Sequence, residues 1–241
     1  MGDLLIWFGE FWNNVIVPGF ANLCVVIQKI LTIGVAETLK VTAVALFFGV
    51  LIGLVACLCK MSRHIVPKAI ATVYIEIIRG TPLLVQALFF YFGVNGLLVN
   101  LSGGSFRMAP LFAGMFVVSL NSGAYVAEIF RAGIQSVDKG QMEAARSLGM
   151  PEKLSMREII LPQAVRTILP SLGNEFVVLV KETSILSVIG VSEITRVGQI
   201  QASINYRTFS AYLGVAIVYF CLTFFLSRLV NRLERRMAVS D

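Results

Sequence analysis

Two uncharged apolar runs constrain this chain more than anything else in it. Val41 to Cys59 carries no charge, and neither does Met108 to Ala127. A helix needs about 20 apolar residues to cross a bilayer core. Each run therefore reads as a membrane span. The chain of 241 residues is 57% hydrophobic and 14% charged, which excludes an ordinary soluble domain. The expected fold is all-α: a polytopic transmembrane helical bundle. Its first core span covers about Ala36 to Cys59. A second membrane segment runs from Ile70 to Val99, interrupted at Arg79-Gly80-Thr81-Pro82. A third covers Met108 to Ala127, a fourth Thr167 to Val191 and a fifth Thr208 to Ser227.

Residues 1–35 read differently. Pro18-Gly19 breaks an apolar run that Asn13, Asn14 and Asn22 also wet, and Trp7 and Trp12 favour a membrane interface. Asp3 and Glu10 stand where a cleaved signal peptide would carry positive charge. This stretch is expected to be an interfacial segment, with an extra span as the alternative. Residues 36–235 then form the transmembrane domain and residues 236–241 a tail.

The net charge of +6 needs no nucleic acid to explain it. Lys60, Arg63 and Lys68, the segment from Arg131 to Arg166, and the tail with Arg228, Arg232 and Arg235 fall on one side of five alternating spans. The positive-inside rule puts that side, with the C-terminus, in the cytoplasm and the N-terminus outside.

The longest interruption among the spans, residues 138–162, has helix chemistry. Asp138 with Gln141 reads as a capping box. Gly149 suits a left-handed helix stop, and Pro151 suits the first turn of the next helix. Ala144 and Ala145 leave one flank with little bulk, where another protein can approach closely.

The polar residues inside the spans are the candidate transport site. Pro82 and Gly80 break the second segment, and freed carbonyls there need protein or cavity water. Thr81 and Gln86 flank that break. Asn121, Tyr125 and Glu128 share one helical face, while Ser119, Ser122, Gly123 and Ala124 suit close packing. Glu175 and Glu182 share another face, about 10 Å apart along the axis. Each ionised group at mid-membrane costs roughly 2.5–3.5 kcal/mol, so these glutamates read as a functional stripe or as part of an internal ion-pair network. If Lys181 neutralises Glu182, one carboxylate stays free.

Other chemistry is absent from the pattern. The four cysteines imply no disulfide or metal framework. His64 has no metal-ligand partners, and no GxxxxGK[ST] loop occurs. No internal duplication and no sustained GxxxG dimer motif stand out.

The spacing Glu143-Ala144-Ala145, three residues, Gly149, nine residues, Ile159, one residue, Leu161-Pro162 resembles the EAA loop of ATP-binding-cassette importer permeases. RGTPLLVQ and NEFVVLVKETS resemble the polar amino-acid branch, the family of histidine, arginine, lysine and glutamine permeases. The resemblance runs from about Ile33 to Arg235 and implies the type I importer fold. It implies a non-enzymatic subunit of a bacterial inner-membrane importer, with Glu143, Ala144, Ala145, Gly149, Ile159, Leu161 and Pro162 coupling to an ATPase. The implied partners are a cytoplasmic ATPase dimer, which holds ATP and Mg, a second permease that is identical or homologous, an extracytoplasmic amino-acid-binding protein, and membrane lipid. The chain itself is expected to hold no cofactor. Two glutamates in the path suit a cationic amino acid such as arginine, lysine or histidine. Glutamine or cystine is the alternative, and an ion-coupled secondary transporter is the reading from another class.

Overall fold

The computed structural model describes residues 6–7, 9–10 and 17–238, and all its regular elements are helical. Trp12, Asn13, Asn14 and residues 239–241 lie outside the described residues. Helix α1 spans Val17–Lys60, α2 Ile65–Gly80, and α3 Leu83–Leu101. Helix α4 spans Pro110–Gln135 and the short α5 Lys139–Ser147. A helical turn at Glu152–Ser155 and a π turn at Met156–Ile160 lead into α6, Leu161–Glu182. Helices α7, Ile194–Asn205, and α8, Thr208–Ala238, complete the chain.

Four helices are long and apolar enough to cross a membrane: α1, α3, α4 and α8. Helix α6 has the length, but Asn174, Glu175, Lys181 and Glu182 make it too polar to count among them. It is held instead by packing. Its Leu179 joins Val41 and Ala45 of α1, Leu83 and Ala87 of α3, and Val117 and Val118 of α4 in one buried cluster. That cluster ties α6 to three of the spans.

Three sequence expectations change. First, no helix boundary falls at residue 35. Helix α1 runs through a π turn at Ile30–Gly34 for 44 residues, about 66 Å at 1.5 Å per residue. Val26 and Ile30 are buried against Ile194, Val197, Ala211, Val215 and Val218, so the early part of α1 is packed on α7 and α8. Second, the fourth span does not stay α-helical to Val191. After Glu182 it tightens into a 3-10 helix, Thr183–Ile189, stopped by Gly190 at φ 92°. The Thr183 hydroxyl donates to the Val180 carbonyl at 2.8 Å at that change of pitch. Third, Gly49 and Gly53 do form a small-xxx-small pair, and it works within the chain. A Cβ on Gly53 would lie 2.7 Å from Val126 Cγ1 and 2.9 Å from the Ala127 nitrogen. One on Gly49 would lie 2.6 Å from Ser122 Oγ. The backbones of α1 and α4 approach closely there, as small residues allow in lipid.

The outward faces of the long helices are apolar. Phe47, Leu51, Val55 and Leu58 of α1 and Phe220 and Phe225 of α8 are exposed. Hydrocarbon covers such faces without cost.

Candidate functional site

The broken segment is closed by its own side chains. Helix α2 ends at Gly80 and α3 starts after Pro82, which sits at the N-cap with ψ 137°. Thr81 Oγ1 donates to the Ile77 carbonyl at 2.8 Å. The Gln86 amide nitrogen reaches back to the carbonyls of Ile78 at 2.8 Å and Thr81 at 3.1 Å. Asn121 Nδ2 then donates to Gln86 Oε1 at 3.0 Å. Thr81, Gln86 and Asn121 are thus one hydrogen-bonded group that satisfies the break and ties it to α4. Carbonyls freed by Pro82 are met by protein rather than left for solvent.

Glu128 sits elsewhere, at the centre of an ion cluster. Its Oε1 lies 2.7 Å from Lys60 Nζ, and its Oε2 lies 2.7 Å from Arg131 and 3.8 Å from Arg79. The Arg79 guanidinium lies over the Tyr125 ring, 5.2 Å from its centroid. The carboxylate expected in the path is therefore held by three cations from α1, α2 and α4. They bind the ends of those helices together near the break.

Glu175 and Glu182 differ from Glu128. Both are half-buried. Glu175 Oε1 accepts from Ser122 Oγ at 3.5 Å, and it forms no ion pair among the described residues. Ser122, read from sequence as a packing residue, is also its polar partner. Lys181 does not close onto Glu182: no ion pair joins them, although Glu182 feels its charge.

Two features were missed in the sequence. The first is an exposed polar strip on α6: Thr167, Asn174 and Lys181, seven residues apart, face outward together. Exposed Val178 lies on the same face, between Asn174 and Lys181. The second is Glu193, fully buried at the N-cap of α7. It accepts from the nitrogens of Thr195 and Arg196 and from the Tyr219 hydroxyl, each at 2.7 Å. Glutamate is outside the usual N-cap set, so no start signal marked α7.

The segment at residues 138–162 forms a bent pair of helices as expected, with three changes of detail. Asp138 Oδ1 accepts from the Gly140 nitrogen at 2.7 Å, but the Gln141 side chain does not return to it and faces Gln163 instead. Pro151 is the N-cap, not the first helical residue. Ala145 is buried at 2% exposure, so only Ala144 offers a small outward surface, between exposed Glu143 and Ser147. Gly149 takes φ 85°. Its nitrogen donates to the Arg146 carbonyl at 3.0 Å and that of Met150 to Ala145 at 3.1 Å, a Schellman closure. Leu148, at the tip, is 84% exposed. Ile159 is half-buried, while Leu161 and Pro162 are exposed. Arg63 meets Glu152 at 3.2 Å, so the α1–α2 connection touches this segment.

Residues 45–239 match the binding-protein-dependent transport system inner membrane component. The chain belongs to this family. It is a multi-pass inner-membrane subunit of an ABC importer, not an enzyme. Similar proteins include the putative glutamine transport system permease protein GlnP of Rickettsia typhi, 40% identical over 86% of this chain and 92% of that one. GlnP of Escherichia coli strain K12 is 38% identical over the same shares. Among solved structures, an amino acid ABC transporter crystallised with histidines is 48% identical, with a TM-score of 0.80, over 87% of this chain and 94% of that one. The MetNI methionine transporter shares the fold, at 20% identity and a TM-score of 0.69 over 85% and 94%.

Proposed function

We propose that this permease carries polar amino acids through a path lined by α6, powered by a separate ATPase and fed by a binding protein. The observation that carries this reading is Glu175. It is a carboxylate in the bundle interior with one long hydrogen bond and no cation. An amino acid brings the ammonium that would complete it. The names of the relatives support glutamine as the cargo, and the second glutamate supports a basic amino acid equally. The Glu143 to Pro162 segment is the ATPase contact, with Ala144 and the exposed Leu148 at the surface. That end and the C-terminus then face the cytoplasm, in line with the charge distribution. Two ATPase subunits with ATP and Mg, and a second permease, identical or homologous, complete the importer. Thr81, Gln86 and Asn121 shape the path wall, and Tyr125 and Glu128 hold its cation cluster.

The test compares Glu175→Gln and Glu182→Gln for uptake of arginine and glutamine by the assembled importer. Loss of uptake in Glu175→Gln with assembly intact supports the reading. Loss confined to arginine in either variant favours a basic cargo. Parental uptake of both substrates by both variants removes the glutamates from the path.

A further inference from the structure

We infer that Lys181 is the contact for the substrate's α-carboxylate, an inference that rests on the reading of α6 as the path wall. Lys181 stands among residues that pack on the long apolar helices. Leu179 and Leu186, on either side of it in sequence, are buried with Val41 and Ala45 of α1 and Val117 and Val118 of α4, inside two membrane-spanning helices. Leu83 and Ala87 of the broken segment pack in that same cluster, so the break lies at this level too. A lysine at such a depth costs roughly 2.5–3.5 kcal/mol on insertion scales unless it faces water or an anion.

Three other cations of the bundle have found their anion. Lys60, Arg79 and Arg131 share Glu128. Lys181 has not: no carboxylate oxygen of the described residues lies within 4.0 Å of its ammonium. Its side chain is exposed, in line with Asn174 and Thr167 on the polar strip of α6. This strip borders the face that carries Glu175 and Glu182. One helix therefore presents an unpaired ammonium beside two carboxylates that lack a cation contact. An amino-acid zwitterion carries the opposite pair on one carbon. Its carboxylate would take Lys181, and its ammonium Glu175 or Glu182. Every amino acid has these two groups, so the contact is indifferent to side chain and suits a path that serves glutamine and basic substrates alike.

The test uses the assembled importer in proteoliposomes with ATP and its binding protein. Cys24, Cys57, Cys59 and Cys221 are first replaced by serine or alanine. Lys181→Cys is expected to lose uptake of labelled glutamine and arginine by about tenfold or more, the scale of one charge-assisted contact. Treatment with 2-aminoethyl methanethiosulfonate restores an ammonium on a chain of similar length and should restore uptake. Methyl methanethiosulfonate adds bulk without charge and should not. Lys181→Arg should transport and Lys181→Met should not, with both assembled. Parental uptake by Lys181→Cys or Lys181→Met overturns the inference, as does equal recovery with the two reagents or no recovery with either. Failure of both Met and Cys variants to assemble makes Lys181 structural and overturns it as well. Asn174→Cys separates this result from the path reading. Reaction with a membrane-impermeant thiol reagent, while Val55→Cys stays unreactive, keeps α6 in the path even if Lys181 is not the anchor. An unreactive Asn174→Cys removes the path reading itself.

Discussion

Gln86 shows how much one side chain can hold at a helix break. It satisfies carbonyls of Ile78 and Thr81 and accepts from Asn121. Replacing it with leucine leaves those groups unpaired, and a buried unsatisfied group costs about 1–3 kcal/mol. Gln86→Leu should lower the thermal midpoint of the purified permease, and Asn121→Ala should lower it less, since it leaves the Ile78 and Thr81 bonds in place. An unchanged midpoint in Gln86→Leu would mean that the break does not need this staple. Glu128 is the second test at this scale. Glu128→Gln leaves Lys60, Arg79 and Arg131 facing one another without an anion. The side chains are partly open to solvent, from 16% for Glu128 to 42% for Arg79, so the expected loss is about 1–3 kcal/mol rather than the larger penalty of a dry ion pair. Added salt should shrink the difference by screening the three cations. The sequence put Glu128 on one helical face with Asn121 and Tyr125. It could not show that Lys60, 68 residues earlier, ends beside it, because that contact exists only once α1 and α4 pack.

At the scale of elements, two glycines act for different reasons, and the difference is measurable. Around Gly149 there is open space, but its φ of 85° is left-handed. Gly149→Asn should keep the turn, while Gly149→Val should strain it by about 1–2 kcal/mol. The valine variant is expected to insert normally and lose ATPase association or coupled transport; normal transport by it removes the turn from the coupling account. At Gly53 the conformation is ordinary and space is the limit. Even alanine meets Val126 and the Ala127 backbone. Gly53→Leu should cost about 1–3 kcal/mol by forcing α1 from α4, read as a lower yield of folded permease. The Gly149 stop was legible because left-handed geometry selects glycine locally. The role of Gly53 was not, because it is set by a helix far away in sequence. Helix α7 escaped for another reason. Its cap is Glu193, held by Tyr219 from α8, so the signal that starts it is tertiary.

At the scale of the molecule, hydropathy made the bundle legible but blurred the bounds of α6, expected at Thr167 to Val191 and found at Leu161–Glu182. An 18-residue apolar window finds α1, α3, α4 and α8. Helix α6, with its two carboxylates and Lys181, fails that criterion because its polar and charged residues lower its hydropathy. The transport reading proposed for α6 accounts for that polarity: a helix in lipid keeps a polar face only where protein or water covers it. The length of α1 was hidden as well, since Pro18-Gly19 reads as a break, whereas both residues lie in the first turn of α1, where proline is tolerated. The central claim is that this permease moves amino acids only as part of an ATP-driven importer. The direct measurement is uptake of labelled glutamine and arginine by proteoliposomes, made with the complete importer or with the permease alone. The account predicts uptake with the complete importer, binding protein and ATP, and none with the permease alone under an imposed proton or sodium gradient. Gradient-driven accumulation by the permease alone, without ATPase or ATP, would contradict it.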